Sequence, residues 1–140
     1  MSSFITAEFI PVEEHIKERP AWFHRFDVSW TPTVLIMDSS GIERYRIEGY
    51  LPKPEFRAEL MLGLARVAFK SKNWAEAKRK YGEVVEGHPD TFVAPEAQYW
   101  TGVSQYQQTH DHEILTQTAQ VLQEKFPRNL WTVKASVWLP

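Results

Sequence analysis

His110-Asp111-His112-Glu113 places two imidazoles and two carboxylates within four positions, a donor set suited to zinc or nickel. Two His at i and i+2 across a helix start face different ways, no third ligand cluster accompanies them, and Asp111 is sufficiently explained as an N-cap. His110 and His112 are therefore weak metal candidates, and no metal or other cofactor is expected. The chain has no cysteine, which removes disulfides, thiol nucleophiles, cysteine-ligated zinc and iron–sulfur clusters. Ser and Thr fall in turns and on helix faces without a Gly-x-Ser-x-Gly elbow, and no Gly-x-x-x-x-Gly-Lys phosphate loop occurs. With no nucleophile–base pair to nominate, an enzyme is not expected.

The remaining chemistry is that of contact. Trp74, Tyr81, Tyr99, Trp100 and Tyr106 recur at helical spacing, either as the core of packed helices or as a groove that holds a partner. Lys78-Arg79-Lys80 is a short basic run, but Glu76 and Glu83 on the same helix make it a solvated, ion-paired face. A formal net charge of −2 gives no electrostatic case for binding nucleic acid. No run approaches the roughly 18 apolar residues of a membrane span, and the N-terminus has no basic stretch followed by an apolar core. A soluble, cytoplasmic protein is the expectation.

The elements that carry these residues change character near residue 70. Before it, β-branched and aromatic runs alternate with Pro and Gly; after it, helical periodicity takes over. Phe9-Ile10-Pro11-Val12, led in by Phe4-Ile5, predicts a short edge strand, since Pro11 lacks a backbone donor. Pro20 opens a short helix carrying Trp22, Phe23 and Phe26. Thr33-Val34-Leu35-Ile36-Met37 is an apolar, β-branched run too short for a helix, hence a strand covered on both faces. Asp38-Ser39-Ser40-Gly41 turns it into Glu43-Arg44-Tyr45-Arg46-Ile47-Glu48, whose alternation predicts a half-exposed antiparallel partner.

Five helical segments follow. Pro52 and Pro54 open a helix over 54–69, with Phe56, Leu60, Leu64 and Val67 on one face. Asn73 and Glu76 form a capping-box start for a helix that His88-Pro89 stops. Pro95-Glu96 opens a third carrying Tyr99, Trp100, Val103 and Tyr106, and Asp111 caps a fourth that Pro127 closes. Leu130, Val133, Val137 and Trp138 predict a last short helix laid over the preceding pair as a terminal cap.

The first part resembles the C-terminal portion of a thioredoxin, over roughly residues 4–68. The most specific element is Thr31-Pro32-Thr33 entering an apolar strand, which in that family is the cis-proline loop beside the active site. The family's first strand, first helix and Cys-x-x-Cys strand have no counterpart here, so the resemblance implies the fold without its redox centre. It also implies that Trp30, Thr31 and Pro32 keep a peptide-binding use, against the plainer reading that Pro32 shapes a turn. Trp30 is expected to plug the cavity left by the missing helix rather than to stand as an exposed contact.

The second part is similar to tetratricopeptide repeats, helical pairs of about 34 residues. Leu64-Ala65, Ala68, Ala77, Tyr81, Val84 and Pro89 fit one unit, with Ala65 and Ala77 where its helices touch. Trp100-Thr101-Gly102-Val103, Tyr106 and Phe126-Pro127 fit a more degenerate unit, without a small residue at the equivalent contact. The fold class is thus α/β: a truncated thioredoxin-like β-α-β-β-α unit over residues 1–69, then all-α tetratricopeptide-like helices over 70–140. Helix 54–69 is shared between the two.

Loss of the Cys-x-x-Cys strand opens the middle of the sheet. Either the strands over 9–12 and 33–37 close up in direct parallel pairing, or another chain satisfies the exposed edges. The expectation is a redox-inactive homodimeric scaffold or adaptor that works through protein contacts. The alternatives are a component of a split or N-terminally truncated thioredoxin-type oxidoreductase, or a chaperone that holds a peptide or client protein.

Overall fold

A computed structural model describes residues 1–140. The first helix, α1 (Ser2–Glu8), leads through an extended stretch to α2 (Pro20–Arg25). Two strands, β1 (Thr33–Met37) and β2 (Glu43–Glu48), form an antiparallel pair. Five helices follow: α3 (Lys53–Lys70), α4 (Trp74–Gly87), α5 (Ala94–Thr109), α6 (His112–Lys125) and α7 (Leu130–Ala135), with a final 3-10 turn over Ser136–Trp138.

The hairpin is fixed by Asp38. Its Oδ1 accepts the backbone N–H groups of Ser40 at 2.9 Å and Ile42 at 3.1 Å, and its Oδ2 accepts Arg44 Nε at 2.8 Å. Gly41 completes the turn at a φ of +76°, a left-handed conformation that only glycine adopts cheaply. Tyr45 then pairs with Ile36 and Glu43 with Met37, which leaves Arg44 as the extra residue of a bulge on β2.

The predicted strand over Phe9–Val12 does not form. Ile10 is 94% and Val12 74% exposed, and the sheet has only β1 and β2. Strand propensity alone does not hold four residues extended without a neighbouring strand to complete their hydrogen bonds, and Pro11 has no N–H to offer one. Phe4-Ile5, expected as the lead-in to that strand, lie in α1 instead. Phe4, Ile5 and Phe9 pack against Ile36, Ile47 and Leu60, and Arg57 lies 4.5 Å from the Phe4 ring centre. The expected β-α-β-β-α order is therefore α-α-β-β-α, and direct pairing of 9–12 with β1 does not occur.

The helical part follows the sequence closely. Asn73 and Asp111 cap α4 and α6 by accepting the N–H groups of Glu76 and Glu113. Ala65 and Ala77 are fully buried where α3 meets α4, in one cluster with Leu62, Tyr81 and Val84. The second helical pair does have a small residue at its contact: a Cβ on Gly102 would lie 2.0 Å from Thr118 Oγ1. At α7, Thr132 Oγ1 donates to the Phe126 carbonyl at 2.6 Å, and Ala135 joins the cluster of Ala119 and Leu122.

Candidate functional site

Two surfaces bear on function: the edge of β1 with the loop before it, and a groove between β2 and the helices. The Thr31-Pro32 bond is cis. The Gly49 N–H donates to the Pro32 carbonyl at 2.8 Å, continuing the ladder beyond Thr33 and Glu48. Antiparallel pairs alternate between hydrogen-bonded and non-hydrogen-bonded, so Thr33 and Leu35 turn their backbone groups toward the open edge. Trp30 is 66% exposed. It plugs no cavity, contrary to the sequence expectation, because the chain beyond it runs directly into β1 and no neighbouring element covers the ring. Thr33 Oγ1 donates to its carbonyl at 2.6 Å, fixing the loop's backbone but not its side chain.

The opposite edge of the sheet is built differently. Arg66 Nε of α3 donates to the Arg44 carbonyl at 3.1 Å, and Arg44 and Arg46 are ion-paired with Asp38 and with Glu43 and Glu48. Between this edge and the helices runs an open groove of about 580 Å³, walled by Glu43 to Arg46 of β2, Arg66, Glu96 and Trp100, and Trp131 and Lys134 of α7. Trp100 and Trp131 stand 6.0 Å apart, and Lys134 Nζ sits 4.0 Å from the Trp131 ring centre.

Burial raises the Glu96 carboxyl above its ordinary range, while Arg66 and the indole of Trp100 pull against that rise. Nevertheless Trp100 Nε1 closes no hydrogen bond, and neither does the buried Tyr81 hydroxyl. Beside them the Tyr45 hydroxyl donates to Glu59 Oε2. Burial raises the Glu59 carboxyl as well, with the Tyr45 bond opposing.

The aromatic residues weighed as repeat core or as a groove do not share a surface. Tyr81 is core, Trp74 packs edge-on against Phe69, Tyr99 stacks on Trp138, and Tyr106 lies near the rings of His110 and His112. Trp100 alone among them reaches the groove. No group of three or more His, Asp or Glu side chains converges as a metal site, around His110 and His112 or elsewhere. Arg79 is ion-paired with Glu76 and Glu83, and Lys80 with Glu76 and Glu8. Sequence reasoning missed Arg66, Glu96, Trp131 and Lys134. The available signal was Arg66 itself, a lone charge within Leu64-Ala65-Arg66-Val67.

A family model described as a thioredoxin-like domain matches residues 2–63, and one described as a tetratricopeptide repeat matches residues 59–91. The chain therefore joins a thioredoxin-like domain to a tetratricopeptide repeat, and the two matches overlap within α3. No curated protein and no solved structure matches it. This pairing of domains supports a protein-interaction adaptor in general. No helix is long and apolar enough to cross a membrane.

Proposed function

We propose that the protein is a redox-inactive, non-enzymatic adaptor that works as a homodimer, with the second copy pairing along the open edge of β1. The observation that carries this reading is the inequality of the two sheet edges. β2 presents charged side chains and a bulge, and α3 takes its Arg44 carbonyl; these are the devices that keep an edge from pairing. β1 has none of them: Thr33 to Met37 is uncharged, with backbone groups of Thr33 and Leu35 unpaired. A two-stranded sheet is marginal by itself. Exposed Ile10, Val12, Trp22 and Trp30 in the same part of the chain add apolar surface for a partner. The absence of cysteine leaves this thioredoxin-like unit without a dithiol.

Sedimentation velocity at micromolar concentration is the test. Twice the chain mass is expected, and Leu35→Pro, which removes an outward N–H, should give monomers with unchanged helical circular dichroism. A wild-type monomer overturns the homodimer. If a separate chain bearing a Cys-x-x-Cys strand fills the edge instead, the protein alone sediments as that monomer and dimerises only with the added chain.

The exposure of Trp30 favours a second reading, in which Trp30, Thr31 and Pro32 hold an extended peptide or unfolded client. The protein then suppresses aggregation of a denatured client and Trp30→Ala does not. Equal aggregation with and without the wild-type chain discards it.

A further inference from the structure

We propose that the outer face of α7, with the 3-10 turn after it, is a docking surface for an amphipathic helix of a partner protein, one whose apolar stripe ends in acidic side chains. The face is separate from the β1 edge, and the inference does not depend on the homodimer.

The stripe follows from the helical period. Leu130 and Val133, continued by Val137 in the turn, fall on the side of α7 away from Thr132 and Ala135. Those two are buried: Ala135 joins the cluster of Ala119 and Leu122, and the Thr132 hydroxyl reaches the Leu122 and Phe126 carbonyls. Leu130 is 61%, Val133 63% and Val137 79% exposed, whereas no helix from α3 to α6 exposes a large apolar side chain. The exposed positions of α6 are polar throughout, Gln117, Gln120 and Gln123 among them. The last helix of such an array turns a polar outer face to water, so an apolar stripe there marks packing left unfinished. Side chains three and four positions apart form the ridge against which another helix packs. Asn129 fixes the start of α7 by accepting the Trp131 N–H at 2.9 Å, so the surface is formed before a partner arrives.

Charge and aromatic packing select the occupant. No Asp or Glu follows Glu124, whereas Lys125 and Arg128 are exposed, precede the Leu130 end of the stripe and enter no ion pair. A partner helix with carboxylates at that end complements them. A second copy does not. A two-fold pair across this face sets Lys134, which lies between Leu130 and Val137, close to its own image, and it brings no carboxylate to Lys125 or Arg128. An anionic membrane is the poorer fit as well. Trp131 and Trp138, the residue type that seats at a lipid interface, pack instead on Tyr99, their ring centres 5.0 and 4.8 Å from it.

A displayed library of helical peptides, apolar at i, i+3, i+4 and i+7 and random elsewhere, selected on the full chain, tests this. Enriched members are expected to carry Asp or Glu toward one end of the stripe. A synthetic copy should bind the wild-type chain about tenfold more tightly than its Lys counterpart, and Arg128→Glu should invert that preference. Val133→Asp, at an exposed position, should abolish binding while circular dichroism and melting temperature stay those of the wild type. No enrichment, enrichment without acidic residues, or binding indifferent to Val133→Asp overturns the proposal. Flotation of the wild-type chain with phosphatidylserine vesicles, lost in Val133→Asp, makes the face a lipid surface and overturns it too, as does a dimer that Val133→Asp splits and Leu35→Pro leaves whole. Failure of the homodimer is separable: the Leu35→Pro monomer should bind the acidic helix as well as the wild type does, and Val133→Asp should leave the β1-edge dimer intact.

Discussion

Of the 23 buried residues, only Ile36 and Ile47 precede α3, and the other 21 lie in α3 and the chain after it. The region before α3 has no helix with a buried residue, and α2 is held largely by Arg46, which donates to the carbonyls of Phe26 and, at 3.1 Å, Asp27. The helical region instead packs two clusters of its own, one around Ala65, Ala77 and Tyr81 and one around Ala119, Leu122 and Ala135. One part of the chain is thus a core and the other is draped on it, with α3 serving both. Cooperative units of this kind open at different free energies.

The largest expected effects would break or confirm that division. Tyr81→Ala removes a fully buried aromatic from the α3–α4–α5 cluster and should cost about 3–5 kcal/mol, unfolding both regions together in a denaturant titration. Ile36→Ala should act locally: amide exchange quickens in β1, β2 and α1 while α4 to α6 keep their protection. Faster exchange throughout the chain after Ile36→Ala would show that the two regions are one unit.

A smaller pair of effects compares how each region tolerates crowding. A Cβ at Gly102 meets Thr118 at 2.0 Å, with Thr118 Cβ itself at 2.8 Å, so Gly102→Ala should cost about 2 kcal/mol by overpacking. At Gly63 the closest atom is Ile36 Cδ1 at 2.1 Å, the far end of a flexible side chain facing the sheet. Gly63→Ala should therefore cost about 1 kcal/mol or less, because that contact yields. Equal losses on thermal melting would mean that the sheet is as rigid a neighbour as the helices.

The smallest expected effects are electrostatic and opposite in sign. Burial lifts Glu96 above its ordinary value of 4.5, so the stability linked to it is present below that value and is lost as pH rises through the folded one. Glu96→Gln should accordingly raise the melting temperature at pH 8 and leave it unchanged near pH 4. Asp38 is held below its ordinary 3.8, chiefly by the Ile42 N–H, so its contribution is present above that value and is lost as pH falls through the folded one. Asp38→Asn should lower the melting temperature at pH 7 and cease to matter in strong acid. Identical pH dependence in the two variants would contradict both assignments.

What the sequence disclosed follows the same division. Helices α3 to α7 were readable because their caps, prolines and apolar spacing are local, and the Asp38 turn was readable for the same reason. Phe9–Val12 was misread because a strand is completed by its neighbour, and none lies beside it here. Trp30 was misplaced for a related reason: whether an aromatic is covered depends on what the rest of the chain brings over it. The groove was invisible because Arg66, Glu96, Trp131 and Lys134 sit on three helices, and they come together only when those helices converge against β2.

The bulge at Arg44 has a consequence for how large an assembly can become. Once two β1 strands lie side by side, every outward rim of the joined sheet belongs to β2, whose kinked backbone and guanidinium-capped carbonyl refuse a further strand. In the proposed homodimer growth then halts at a pair, and the same irregularity that ends one ladder keeps that dimer from propagating into a ribbon.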